Sequence, residues 1–267
     1  MATIRYTTAL GAEYDQLFNE CVLRPSLLKS INNIAAAIRA NQARYEAVGM
    51  GIPWYFIGVI HNMEADLSFK GHLHNGDSLK ARTVQVPAGR PKTGMPPFTW
   101  EVSAADALTM KGLDKLQDWS LARTLYELER YNGFGYRLYH QHVLTPYLWS
   151  YSTHYLSGKY VADGRWSDTA KSEQCGAGVL LRRMAELGWI EFPDQKLPDA
   201  EDATLVVPYA AKKPTVAADL EAAKKLQEWL NTHEGIFVAT DGWAAKRTSD
   251  AWQRVTGHFL PGDPRSK

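Results

Sequence analysis

Behind Gly49, Gly51 and Pro53 runs an apolar stretch, Trp54, Phe56, Ile57, Val59 and Ile60, that constrains the fold more than any other segment. Pro53 stands where a first helical turn tolerates a missing N–H. A helix apolar on most of its sides has to be surrounded by protein, and a chain of 267 residues is long enough to build that core. The apolar pattern fails at Glu64, so an ionisable group is expected at the C-terminal end of a core helix.

The flanking patterns supply the layers. Leu17, Cys21, Leu27, Leu28, Ile31, Ile34, Ala35 and Ile38 recur at helical spacing between Glu13 and Val48, which predicts two helices or one helix kinked near Pro25. From Leu67 to Pro97 the chain is rich in Gly, Pro, Asn and His. Its Thr83-Val84-Gln85-Val86 piece and Asn75-Gly76-Asp77 turn predict a small hairpin or three-stranded lobe with a long loop. Helices resume at Ser103 to Lys115, with Ser103 and Asp106 as a capping pair, and at Trp119 to Arg130, ending on Asn132-Gly133. A further helix is expected from about Ser172 to Leu187, stopping at Gly188. The expected class is α+β, mostly helical. Four prolines between Phe192 and Pro214 mark a linker. The organisation read from the chain is residues 1–192, a linker at 193–214, and a small helical unit at 215–267.

Composition removes several functions. The formal net charge of +1 gives no bulk attraction for nucleic acid or an anionic membrane, and no run approaches the 18 or more apolar residues of a membrane span. Met1 to Gly11 lacks a basic segment followed by an apolar one, so synthesis in the cytoplasm is expected. Cys21 and Cys175 are the two cysteines. They exclude a disulfide framework and leave a single bridge open. The chain has no GxSxG, phosphate loop or GxGxxG opening a helix. Nine Trp and thirteen Tyr are many for this length, and aromatic faces are surfaces on which sugar rings stack.

Cleavage of a glycosidic bond needs an acid for the leaving oxygen and usually a second carboxylate. Glu64 has the setting of that acid, because an apolar helix disfavours its charged form and a helix C-terminus disfavours added negative charge. Twelve residues separate Glu64 from Asp77, and five separate Asp77 from Thr83. This resembles the phage-type lysozymes of glycoside hydrolase family 24, where a helix-end Glu, an Asp and a Thr line a cleft across a β-hairpin. The Glu-to-Asp gap is four residues longer here. The resemblance implies a lysozyme-like fold with a small β-hairpin lobe, Glu64 as general acid, Asp77 positioning or deprotonating water, and Thr83 helping to hold that water. It also implies an inverting muramidase of the endolysin kind, released to the cell wall after synthesis. Asp66 is the rival second carboxylate, though two positions along a helix it would point away from Glu64.

Other residues fill out a saccharide groove. Tyr131 and Asn132, followed by Gly133, Gly135 and Tyr136, are similar to the tyrosine-asparagine floor of lytic transglycosylases. The Glu-Ser dyad of those enzymes is absent, since Ala65 follows Glu64. Tyr147, Trp149, Ser152 and His154 combine aromatic faces with hydrogen-bonding groups, as a sugar subsite requires. His72 and His74 are expected to bond the loop or the substrate. His61, Glu64, His72, His74 and Asp77 lie within seventeen residues, so a zinc peptidase or amidase is an alternative, although HExxH is missing. The principal reading needs no metal or cofactor.

Leu226-Gln227, the Asp241-Gly242 turn, Trp243, Thr248 and Trp252 follow the order of the small three-helix peptidoglycan-binding domain. The resemblance implies a wall-binding module with Asp241, Trp243 and Trp252 in it and Thr248 capping the last helix. Such a module raises enzyme concentration on an insoluble polymer. The expected partner is the glycan strand of peptidoglycan, bound by a monomer without nucleic acid or membrane insertion. A non-catalytic glycan-binding protein is the alternative from another class, and the residues leave muramidase, glucosaminidase and chitinase specificity open.

Overall fold

The computed structural model describes residues 4–162, 164–193 and 205–266. It is mostly helical with one two-stranded sheet, compatible with the α+β class. The chain divides into two compact units, residues 1–183 and 184–267. Among the described residues no helix is long and apolar enough to cross a membrane.

In the first unit α1 (Thr8–Asn19), α2 (Leu28–Ala40) and α3 (Gln42–Val48) precede the central helix α4 (Trp54–Ala65). Thr7 caps α1 by accepting from the Leu10 amide at 3.2 Å. A 3₁₀ turn at Pro25–Leu27 makes the break expected near Pro25. Phe56, Ile57, Val59 and Ile60 of α4 have no solvent exposure, as an all-round apolar helix demands. α2, α3 and α6 (Leu121–Asn132) pack on it, and α1 packs on α6. α4 stops where Asp66 and Leu67 take left-handed conformations, with φ of 49° and 57°, and both amides return to the His61 carbonyl.

The 67–97 segment corrects an expectation, since it forms no hairpin. One isolated bridge, Gly71 to Ser78, is its only ladder element. Pro87, Pro91, Pro96 and Pro97 have no N–H to give a ladder, and side chains hold the loop instead. The sheet lies elsewhere, where β1 (Lys159–Ala162) pairs antiparallel with β2 (Arg165–Ser167). α5 (Trp100–Met110) begins three residues earlier than expected. Thr99 caps it by accepting from the Val102 amide at 3.3 Å, so Ser103 and Asp106 are interior residues. α6, capped by Ser120, ends on Asn132 with Gly133 beyond, as expected. α7 (Gly135–Tyr139), α8 (Pro146–Trp149) and α9 (Ala177–Glu186), in which the division falls, complete the order. Cys21 and Cys175 are both buried.

The second unit contains two helices among its described residues, α10 (Ala217–Leu230) and α11 (Lys246–Thr256), where three were expected. Residues 194–204 of the expected linker lie outside the described residues. Its remainder is part of this unit: Leu205, Val207 and Tyr209 pack on the core of Leu226, Leu230, Val255 and Leu260. The Tyr209 amide bonds the Pro261 carbonyl at 2.8 Å.

Gly58 sets how closely α4 approaches its neighbours. A Cβ there would collide with the buried Ile38 γ-methyl and stand 3.1 Å from the Tyr45 ring. We expect Gly58→Ala to cost about 1–3 kcal/mol by overpacking, more than the roughly 1 kcal/mol that alanine gains in a helix. The denaturation midpoint should fall, and an unchanged or raised midpoint would show that the helix junction has room.

Candidate active site

Glu64 is in the last turn of α4, half-buried, with its carboxyl facing α8. The Tyr147 hydroxyl, on a side chain 9% exposed, donates to Glu64 Oε1 at 3.0 Å. Lys111, just past α5, donates from Nζ to the Tyr131 carbonyl at 2.8 Å and lies 4.4 Å from the centre of the Tyr131 ring. The Tyr131 hydroxyl reaches the Leu73 carbonyl at 3.4 Å. Burial pushes the Glu64 pKa above the ordinary carboxylate value, and the Tyr147 hydrogen bond and the Lys111 charge offset part of the rise. Burial lowers the Lys111 pKa, with Glu64 opposing. Tyr147 and Tyr131 are both raised by burial, with the Glu64 charge adding to it. The result is a carboxyl that resists ionisation beside phenols that resist it too.

Two cavities share part of their walls here. One of about 530 Å³ is lined by Met63, Glu64, Ala65, Asp66, Lys159, Ser172, Glu173 and Gln174. The other, of about 490 Å³, is bounded by Asn132, Tyr136, Tyr139, Tyr147, Tyr160 and the same Lys159, Ser172 and Gln174. Gln174 Nε2 donates to the Met63 carbonyl at 2.9 Å, tying this wall to the end of α4. Both volumes are in the range of small-ligand sites.

Asp77 is held by its own loop. Its Oδ2 accepts from the Val84 amide at 2.8 Å, the Gln85 amide at 3.0 Å and Asn75 Nδ2 at 3.1 Å. These donors, the Gln85 and Val84 amides first, keep its pKa low. The loop returns to α4, because a Cβ on Gly76 would stand 3.4 Å from the Glu64 carbonyl oxygen. Asp77 lines neither cavity, whereas Asp66 lines the one that contains Glu64. Asp66 is not the helix residue that was expected, since the helix ends at Ala65 and left-handed Asp66 redirects the chain.

Thr83 is 3% exposed, and its hydroxyl donates to the Pro87 carbonyl at 2.5 Å and accepts from the Arg90 amide at 3.0 Å. It staples the 83–90 turn. His72 and His74 also serve the loop. His72 Nε2 donates to the Ala81 carbonyl at 2.8 Å, and its Nδ1 lies 2.7 Å from Ser103 Oγ. His74 Nε2 donates to Asp106 Oδ2 at 2.8 Å. Among the described residues no three His, Cys, Asp or Glu side chains are grouped so as to hold a metal ion.

Of the remaining candidates, Tyr147 and Asn132 reach the aromatic cavity, and Tyr131 backs Glu64. Trp149 is fully buried in the core. Ser152 has no exposure and donates to the Trp149 carbonyl at 2.7 Å. His154 Nε2 donates to the Leu17 carbonyl at 2.7 Å. Lys111, Lys159, Tyr160, Ser172 and Gln174 were not singled out from the sequence. The aromatic and hydrogen-bonding residues from Tyr147 to His154 are the nearest signal to Lys159 and Tyr160, and Lys111, Ser172 and Gln174 have none.

In the second unit Gln227, 1% exposed, organises the Asp-Gly turn. Its Nε2 donates to Asp241 Oδ1 at 2.9 Å, and its Oε1 accepts from the Gly242 amide at 2.9 Å. Trp243 Nε1 donates to the Ala210 carbonyl at 2.8 Å. Trp252 is buried, 5.9 Å from Trp229 between ring centres. Thr248 bonds back to the Trp243 carbonyl at 3.3 Å from inside α11 and caps nothing. The nominated wall-binding residues thus hold their own unit together.

No protein-family model, curated protein or solved structure matches this chain.

The loop's dependence on Asp77 can be measured. A lowered folded pKa means that its stabilisation is complete above the ordinary aspartate value of 3.8 and is lost as pH falls through the folded value. At neutral pH, trypsin should cut after Arg82 faster in Asp77→Ala than in the parent chain. Equal rates would show that the carboxylate does not hold the turn.

Proposed function

We propose that this chain hydrolyses the glycan strand of peptidoglycan, with Glu64 donating the proton to the leaving glycosidic oxygen. One observation carries the reading: a half-buried carboxyl whose pKa is held up by burial lines a cavity that shares Lys159, Ser172 and Gln174 with an aromatic one. A general acid has to keep its proton near neutrality and stand within reach of the leaving group, and burial at the end of an apolar helix acts in the direction of the first need. Tyr147 acts as a positioning residue. By donating to Oε1 it fixes the carboxyl and leaves the other oxygen to carry the proton.

The second carboxylate in this reading is Asp77. The hydrogen bonds its carboxylate accepts fall on Oδ2, which leaves Oδ1 for an attacking water, and its low pKa keeps it ionised. An inverting mechanism would require the two carboxyl groups to stand roughly 6.5–9.5 Å apart. Asp66, which shares the cavity of Glu64, is the competitor for this role. The lysozyme-like arrangement of the first unit and a wall-anchoring role for the second belong to the same proposal.

Mass spectrometry of wall digests tests it. Glu64→Gln keeps shape and removes the titrating proton, so released fragments should fall on the order of a hundredfold or more, and near-normal turnover would end the assignment. The pH profile gives a further expectation. Activity should decline at high pH as Glu64 ionises. Tyr147→Phe removes a donor that favours the carboxylate, so the declining limb should move to higher pH, and a limb that stays or moves down would contradict the role of Tyr147.

A further inference from the structure

Lys159 opens β1, where the fold leaves little freedom. It pairs with Ser167 across the hairpin. Gly158 before it has φ of +99°, and a Cβ there would stand 3.0 Å from both Trp166 and Val143. The lysine is half-buried, and it lines the Glu64 cavity and the aromatic cavity alike. Three carboxylates, Glu64, Asp66 and Glu173, share the first of these cavities, yet among the described residues Lys159 is in no ion pair. A half-buried ammonium that is in no ion pair is free to meet an anionic ligand group placed there. Beyond it Tyr139, 71% exposed, offers a ring face at the mouth of the aromatic cavity.

We propose that Lys159 is a specificity residue that recognises the lactyl carboxylate of an N-acetylmuramic acid ring seated between the two cavities, with Tyr139 stacking on the neighbouring sugar. This rests on the glycan-strand reading above and narrows it. A wall saccharide bearing its own carboxylate is favoured over a neutral chitin-like strand. An ammonium meeting a carboxylate at a partly buried site gives about a tenfold preference.

Equilibrium binding to the Glu64→Gln chain tests this without requiring turnover. The probes are the N-acetylglucosaminyl-N-acetylmuramic acid disaccharide, its methyl ester, and an N-acetylglucosamine–glucuronate disaccharide. The free acid should bind about tenfold more tightly than the ester. Lys159→Gln should abolish that difference and Lys159→Arg should retain it, while Tyr139→Ala should weaken acid and ester alike. Equal binding of acid and ester, a preference that survives Lys159→Gln, or glucuronate binding as tight as the muramic acid would each overturn the proposal. A preference that holds while the parent chain leaves walls uncut would overturn the hydrolase reading and leave this one standing. Wall cleavage with no preference would do the reverse.

Discussion

The hydrogen bond from Tyr147 to Glu64 joins two parts of the molecule that are 83 residues apart, and the geometry of the site depends on it. It forms because α4 is apolar on most of its sides and ends with a carboxyl that is half-buried beside α8. Desolvation and this single donor act on the Glu64 pKa in opposite directions, and desolvation prevails. A surface glutamate with a phenol beside it would show the reverse. The upward shift of Glu64 therefore comes from burial at the end of α4, against its immediate polar neighbours.

The loop after α4 depends on another set of polar groups. His72, His74, Asp106, Asp77 and Thr83 are each bonded within the 67–106 region, and Arg90 adds an ion pair to Asp106 at 2.9 Å. This network does the work that ladder bonds would do in a hairpin, in a segment whose prolines cannot supply them. The same polar residue types that suggest metal or substrate binding in one dimension are consumed as struts in three.

What was legible in the sequence follows from locality. The apolar run of α4, its end near Glu64, and the Asn132-Gly133 stop of α6 are written in consecutive residues. Thr99 was missed as the cap of α5 because Ser103 and Asp106 have the same residue chemistry, and their long-range partners His72 and His74 cannot be read from spacing. The strand pair at 159–167 was hidden in a stretch chosen for its aromatics. There Tyr160 and Trp166 pair across strands at 5.3 Å between ring centres. Of the site, Glu64 and Tyr147 could be named in advance, but their contact could not. Lys111 and Lys159 acquire meaning only from what surrounds them.

The account rests on a carboxyl at position 64 that keeps its proton further up the pH scale than an ordinary glutamate. Carbon-detected NMR titration, with the Glu64 signal assigned by its loss in Glu64→Gln, measures this directly in the intact chain. A midpoint clearly above the ordinary value of 4.5 is the predicted result. A midpoint at or below that value would contradict it, because the groove would then hold a solvated carboxylate with no proton to give.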